Sequence, residues 1–163
     1  MDHTRRRVNA SHVRGKSLGV DGYNVLITTE SLISGEDVII CDDGFVRDLR
    51  AIFGKYRISE KTAPALRELM KAIVKSGARR VSVLFDRQVS RSGDLASITR
   101  RLMFESGVYG DAFAVGAVDR SLRDFEVVAT SDCAVIRRCM AVWDIPAEIA
   151  KTKGRVLDIR KLC

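Results

Sequence analysis

The sequence predicts an α/β fold, a three-layer α/β/α sandwich with a central, mainly parallel sheet. Two observations predict it. Short, β-branched apolar runs alternate along the chain with segments whose apolar residues recur at helical spacing, which is the pattern of strands joined by crossover helices. Four of the apolar runs also stop on an aspartate, at Asp21, Asp86, Asp119 and Asp132, and the carboxyl ends of parallel strands form the functional edge of such a sheet. With no internal repeat and no second core, residues 17–163 read as a single α/β domain.

Residues 1–16 are polar, basic and aperiodic, and are expected to form a flexible N-terminal arm. Residues 18–21 read as the first strand. Residues 25–33 fit a helix ended by Gly35, although Ile27, Thr28 and Thr29 leave a strand open. Residues 38–41 are a compact apolar run, stopped by Asp42, Asp43 and Gly44. Phe45, Leu49, Ile52 and Phe53 then fall at helical spacing and predict a helix. Thr62 is placed to cap the next helix, with Pro64 in its first turn, Leu66, Leu69, Met70, Ile73 and Val74 as its buried stripe, and Gly77 just past its end. Residues 81–85 are a buried strand and 90–93 a loop. Leu95, Ile98 and Leu102 mark a further amphipathic helix. Strands follow at 113–115 and 125–129, separated by a short helix around Ser121. A helix containing Val135, Ile136, Cys139 and Met140 comes next. Val142 and Trp143 form a last core strand, 147–151 a short helix, and 156–159 a terminal edge strand.

Lys and Arg number 28 against 21 Asp and Glu, for a net charge of +7 and a pI near 9.5. That balance suits polyanionic partners such as RNA or DNA, or simply a soluble basic surface. A basic surface beside carboxylates gathered at one edge is the profile of a phosphodiester-cutting enzyme, because cationic walls hold the substrate while the acids hold a metal. Carboxylates that converge repel one another, and a hard divalent cation, Mg2+ or Mn2+, is the usual reason to tolerate this. The four cysteines, Cys41, Cys133, Cys139 and Cys163, form no C-x-x-C pair, and both histidines lie in the first 16 residues; this argues against a zinc site. Cys133 and Cys139 are expected in the core. No secretory signal and no apolar run of membrane length is visible, so the expectation is a cytoplasmic protein off the membrane, alone or as a homodimer.

The acids carry competing readings. Asp21 opens Asp21-Gly22-Tyr23-Asn24, which suits a metal ligand supported by Asn24 or a simple turn. Asp132, in Thr130-Ser131-Asp132, is also a good helix N-cap, and Asp119 has a short helix to cap. Asp86, directly after Val-Leu-Phe, has no evident structural duty. Asp43 and Asp48 stand either at the rim of the same site or in a solvated turn and helix start. Ser90, Arg91, Ser92 and Gly93 would cradle a phosphate or simply start a helix, with Ser92 as the cap. Arg100-Arg101 and Arg137-Arg138 are basic pairs on expected helices. Aromatics make up 6% and do not interleave with the basic groups, so no stacking platform for bases is evident.

The segment V-D-G-Y-N-V-L resembles the opening motif of the NYN branch of the PIN-like domain nucleases. V-L-F-D at 83–86, A-V-D-R-S-L at 117–122 and V-V-A-T-S-D at 127–132 resemble that family's later acidic segments, in the same order. The likeness covers about residues 17 to 145, and D-G-Y-N-V-L-I-T-T-E-S-L followed by C-D-D-G-F-V-R-D is similar to an uncharacterised, mostly archaeal family of PIN-like proteins. The resemblance implies metal-dependent hydrolysis of RNA without a covalent intermediate, with Asp21, Asp86, Asp119 and Asp132 as the metal-binding catalytic acids and Asn24 in support. Two departures stand out. Arg120 occupies a position where many relatives carry a second acid, and Arg87 follows Asp86 directly. Either would hold substrate phosphate, together with Ser90, Ser92 and Asn24, or weaken metal binding. The alternative is a catalytically weak PIN-like module that binds RNA or a protein partner. A phosphorylated small molecule as substrate finds no support, since neither G-x-x-x-x-G-K-[ST] nor G-x-G-x-x-G occurs.

Overall fold

Apolar residues at alternate positions of each strand face opposite sides of a central sheet, and each side is covered by its own helices. The computed structural model describes residues 6–50 and 52–161. In chain order the elements are β1 (Arg7–Val8), α1 (Ala10–Val13), β2 (Ser17–Asp21), α2 (Gly22–Ile33), β3 (Val38–Ile40), β4 (Val46–Asp48), α3 (Thr62–Ser76), β5 (Arg80–Asp86), α4 (Ser92–Ser106), β6 (Gly110–Val115), α5 (Val118–Leu122), β7 (Val127–Ala129), α6 (Cys133–Ile136), β8 (Val142–Trp143), α7 (Ile145–Ala150) and β9 (Val156–Asp158).

Six strands form the central sheet in the order β1-β8-β7-β2-β5-β6, and every pairing is parallel. Leu18 and Val20 of β2, Val81, Val83 and Phe85 of β5, and Val127 and Ala129 of β7 pack beneath α2, α3, α4 and α7, through residues such as Leu26, Leu66, Leu95 and Ile149. On the other side Leu84, Val128 and Val142 pack with Leu122 of α5, Val135 and Ile136 of α6, and Phe45. Gly19 lies on this second side, where an added Cβ would come within 2.5 Å of the Phe125 ring. The three layers are therefore two helical layers enclosing a parallel sheet.

The two sides fix where a site can form. The helix after β2 covers one side, and the helix after β7 covers the other. β2 and β7 are neighbours. Connections that leave adjacent strands in opposite directions open a crevice at their carboxyl ends, which is where open α/β sheets bind ligands.

Several local expectations are corrected. Phe45 to Phe53 is not a helix. Gly44, at φ 85, turns the chain back, so that Val46–Asp48 pairs antiparallel with β3. A 3-10 turn follows at Phe53–Lys55. The terminal strand β9 is an edge, but of this second sheet, ordered β4-β3-β9. Residues 7–13 do not stand off as an arm: β1 pairs with β8, and Val13 is fully buried; residues 1–5 lie outside the described residues. Thr62 starts α3 without capping it, because its hydroxyl accepts from the Ser59 N–H and bonds the Tyr56 hydroxyl. Val74 faces solvent, at 49% exposure, while the rest of the expected stripe is buried. Ser92 does not cap α4; the preceding Arg91 sits at φ 62, and the Ser92 hydroxyl donates to the Arg87 carbonyl. Cys139 is buried as expected, whereas Cys133 is exposed; Cys163 lies outside the described residues. Among the described residues no helix is long and apolar enough to cross a membrane.

Candidate active site

The crevice is a cavity of about 760 Å3 at the carboxyl ends of the strands. Asp21, Asp86, Asp119 and Asp132 all line it, together with Asn24, Arg47, Asp48, Ser131 and Cys133. The register accounts for the first two. Asp21 pairs with Leu84, so it shares a side of the sheet with Leu84 and, two residues on, with Asp86. Asp119 arrives in the first turn of α5 after β6, and Asp132 at the start of α6 after β7. Four segments spread over 112 positions of the chain thus converge on one wall.

The open readings of these acids now separate. Asp21-Gly22-Tyr23-Asn24 is no turn. Gly22 begins α2 directly, and Asp21, although at the N-cap position, makes no side-chain cap. Its carboxylate instead accepts from the Thr130 hydroxyl at 2.8 Å. Burial pushes the Asp21 carboxyl up to about 7; the Thr130 hydrogen bond opposes this, and the charges of Asp132 and Asp119 add to it. Asp21 is half-buried and keeps part of its surface toward the cavity, yet protein encloses it closely enough for desolvation to dominate. Asp132 does cap α6, accepting from the Ala134 and Val135 N–H groups through one oxygen, Oδ1. Asp119 makes no cap. Asp86 has the structural duty that its sequence context does not reveal: its Oδ1 accepts from the Gln88 N–H at 2.9 Å. The charge of Asp86, after burial, helps push the Tyr23 hydroxyl up to about 12.

Asn24 binds the crevice together. Its Oδ1 accepts from the Ser131 N–H at 2.9 Å and from the Ser131 hydroxyl at 3.2 Å. The Asp132 N–H in turn donates to Thr130 Oγ1. The start of α2 and the turn after β7 are therefore one hydrogen-bonded unit, and Asn24 positions the acids from behind.

Sequence reasoning missed Arg47. Its guanidinium donates twice to the Ser131 carbonyl, from Nε at 3.0 Å and Nη2 at 2.7 Å, and in a bidentate fork to Asp43 at 2.8 Å. Burial works against its charge, but Asp43 and Cys41 together more than offset this and hold the guanidinium firmly protonated. The i, i+4 spacing of Asp43 and Arg47 was the available signal. Asp43 is thus a tether for Arg47 rather than a wall of the cavity. Asp48 does reach the cavity, while its two oxygens accept from Thr28 Oγ1 and the Arg50 N–H. Ser90 lines a separate cavity with Arg91 and Arg57, and the buried Ser92 faces the Arg87 carbonyl, so the structure brings neither serine to the acidic wall. Arg120 adjoins that wall through a second cavity shared with Asp86 and Asp119. Arg87 lies against Gly116, where an added Cβ would come within 2.9 Å of its Nη2.

The donor set is all hard oxygen, which suits magnesium or manganese. Among the described residues no three His, Cys, Asp or Glu side chains are grouped closely enough to hold one ion. That spacing is compatible with magnesium, which keeps several waters and commonly binds through one or two carboxylates plus substrate phosphate.

Fold and site together define an α/β protein with a carboxylate-walled crevice at the switch point of a parallel sheet. Residues 10–148, which contain all four aspartates, match the family described as Domain of unknown function (DUF5616), and the chain belongs to that family. It is 40% identical over 124 residues to Uncharacterized protein MJ0935 of Methanocaldococcus jannaschii, a match that takes in 76% of this chain and 59% of the relative. The chain thus spans less than two thirds of that relative's length. No solved structure matches it.

Proposed function

We propose that this chain is a PIN-like ribonuclease that hydrolyses RNA phosphodiester bonds with magnesium or manganese. The observation that carries the reading is the convergence of Asp21, Asp86, Asp119 and Asp132 on one cavity, in the segments and the order that the PIN-like resemblance requires. Asp21, Asp86, Asp119 and Asp132 line the wall, and one or two of them would hold the cation, with water and substrate phosphate completing its shell. When bound, it would supply an activated water and offset the charge gathering on the leaving phosphate.

The chain's own groups set the conditions for that step. Asp21 is protonated below about pH 7 and must release its proton before it can serve as a ligand. Thr130 favours that release by donating to the carboxylate. Asn24 and Arg47 fix the Ser131 backbone, which fixes Asp132 beside it. The net charge of +7 supports a polyanionic substrate.

The deciding experiment compares wild type with Asp21→Asn on single-stranded RNA, with manganese and with chelator. Wild type should cleave in manganese and stop on chelation, and the substitution should slow cleavage by about 100-fold or more. Cleavage that Asp21→Asn leaves untouched would show a contaminating nuclease. Tight RNA binding by wild type without any cleavage would favour a catalytically weak RNA-binding module.

A further inference from the structure

We propose that Arg120, Arg123 and Arg138 form a phosphate-binding subsite that grips the RNA backbone beside the acidic cavity. This deepens the proposed function and rests on a polynucleotide being the substrate. A second cavity, of about 330 Å3, shares Asp86, Val118 and Asp119 with the acidic one, so the two adjoin along a common wall. Beyond Gly116 and Ala117, the rest of its lining is of opposite character: three guanidinium groups.

The arginines come from two elements. Arg120 and Arg123 are three residues apart at α5 and lie on one side of it. Arg138 follows α6. All three are exposed. Among the described residues none of them donates a side-chain hydrogen bond or forms an ion pair, whereas Arg50, Arg79, Arg91 and Arg100 each hold a carboxylate. Three guanidinium groups around one small cavity repel each other, and an anion seated between them relieves that repulsion. Phosphate matches the planar fork of arginine, which bonds it in bidentate fashion.

The acidic cavity leaves this task undone. Among the described residues its one lining cation is Arg47, whose guanidinium is committed to Asp43 and to the Ser131 carbonyl. A carboxylate wall repels the phosphates of an approaching chain, so a polynucleotide needs a cationic hold next to it. The shared wall of Asp86 and Asp119 lets one backbone phosphate lie at the acids while its neighbour lies among the arginines. A substrate with a single phosphate would fill one cavity and forgo the other.

The test measures binding of a fluorescein-labelled single-stranded oligouridylate without added metal, in an Asp21→Asn background that suppresses cleavage. Adding Arg123→Gln and Arg138→Gln should weaken binding at least tenfold. It should also flatten the dependence of log affinity on log salt by about one. Arg67→Gln with Lys75→Gln removes the same charge from exposed positions of α3, on the opposite side of the sheet, and should change binding by less than about twofold. Arg138→Gln alone, on a separate element, should give roughly half the loss in log affinity and covers the case of a double variant that does not fold. Equal effects from the two pairs, or no measurable binding at all, overturn the subsite. Intact manganese-dependent cleavage with arginine-indifferent binding defeats the subsite and leaves the nuclease reading standing. Arginine-dependent binding without wild-type cleavage does the reverse.

Discussion

The Thr130 hydroxyl donates to Oδ2 of Asp21 at 2.8 Å, across 109 positions of the chain. It joins the ends of two neighbouring strands and is the principal interaction that opposes protonation of Asp21, whose carboxyl burial has already pushed up to about 7. Thr130→Val keeps the side chain's shape and deletes that donor. The Asp21 carboxyl should then titrate above its wild-type value in a carbon-13 NMR titration, and manganese binding should need a correspondingly higher pH. The Asp132 N–H also loses its acceptor, so the fold should lose about 1–3 kcal/mol. An unmoved Asp21 titration would show that the hydroxyl does not govern the carboxylate.

Asp21 also predicts a trade between stability and function. Between about pH 4 and about pH 7 the folded chain holds a proton on Asp21 that the unfolded chain has released. Stability therefore falls as pH rises through that window, and levels off above it. Asp21→Asn removes the ionisation and keeps an acceptor for Thr130. In metal-free buffer the variant should match wild type near pH 4 and exceed it by roughly 2–4 kcal/mol near pH 8, read from urea melts. Manganese should raise the wild-type Tm and leave that of the variant unchanged. A variant that is less stable than wild type at pH 8 would contradict the burial argument.

The contrast between Asp21 and Arg47 shows what was legible in the sequence. Asp21, Asp86 and Asp132 follow local apolar runs, and strand periodicity alone puts their side chains at one end of the sheet. The central strands and the helix α3 were legible for the same reason. Arg47 was not, because its role depends on Ser131, 84 positions away, and on a strand that Phe45, Leu49, Ile52 and Phe53 disguise as a helix. The pairing of β4 with β3 decides that segment against its own spacing. The two exposed sulfur and methyl groups of Cys133 and Val74 mark the same limit: apolar type sets a preference for burial, and the neighbours decide it. The carboxylate of Asp86 shows the converse, a residue whose placement was legible while its bond to the Gln88 N–H was not.

Gly22 should be the least replaceable residue beside the acids. An added Cβ would come within 2.5 Å of the Phe85 ring and 2.6 Å of the Leu84 carbonyl oxygen. The carbonyl belongs to the strand that pairs with Asp21, so relief requires α2 to shift away from β5. Gly22→Ala should destabilise the chain by about 1–3 kcal/mol despite the better helix propensity of alanine. Because Asn24 rides on the same helix turn, cleavage should fall further than stability alone explains. A variant with wild-type Tm and activity would show that the ring and strand yield without cost.

Asp144 provides the counterpart to Asp21, since the same substitution should act in the opposite direction. Asp144 is buried, and desolvation pushes its carboxyl up to about 6, while the N–H groups of Val46 and Ala147 and the charges of Arg7 and Arg47 hold it down. Oδ2 accepts from Val46 at the start of β4, and Oδ1 accepts from Ala147 as the cap of α7. Both oxygens are thus engaged by backbone donors, whereas among the described residues Asp21 accepts one side-chain hydrogen bond, from the Thr130 hydroxyl, and has a side open to the cavity. An asparagine at 144 supplies one acceptor and turns an NH2 group toward the other backbone N–H. Asp144→Asn should cost about 1–3 kcal/mol at pH 8, where Asp21→Asn stabilises. Asp144→Ala should cost more, since it leaves the Val46 N–H without its acceptor. β4 carries Arg47, so either change should also loosen the tether on Ser131 and lower manganese affinity in step with stability. Urea melts of the three variants at pH 8 check the signs together; a stabilising Asp144→Asn would mean that burial of the charge outweighs the two backbone bonds it serves.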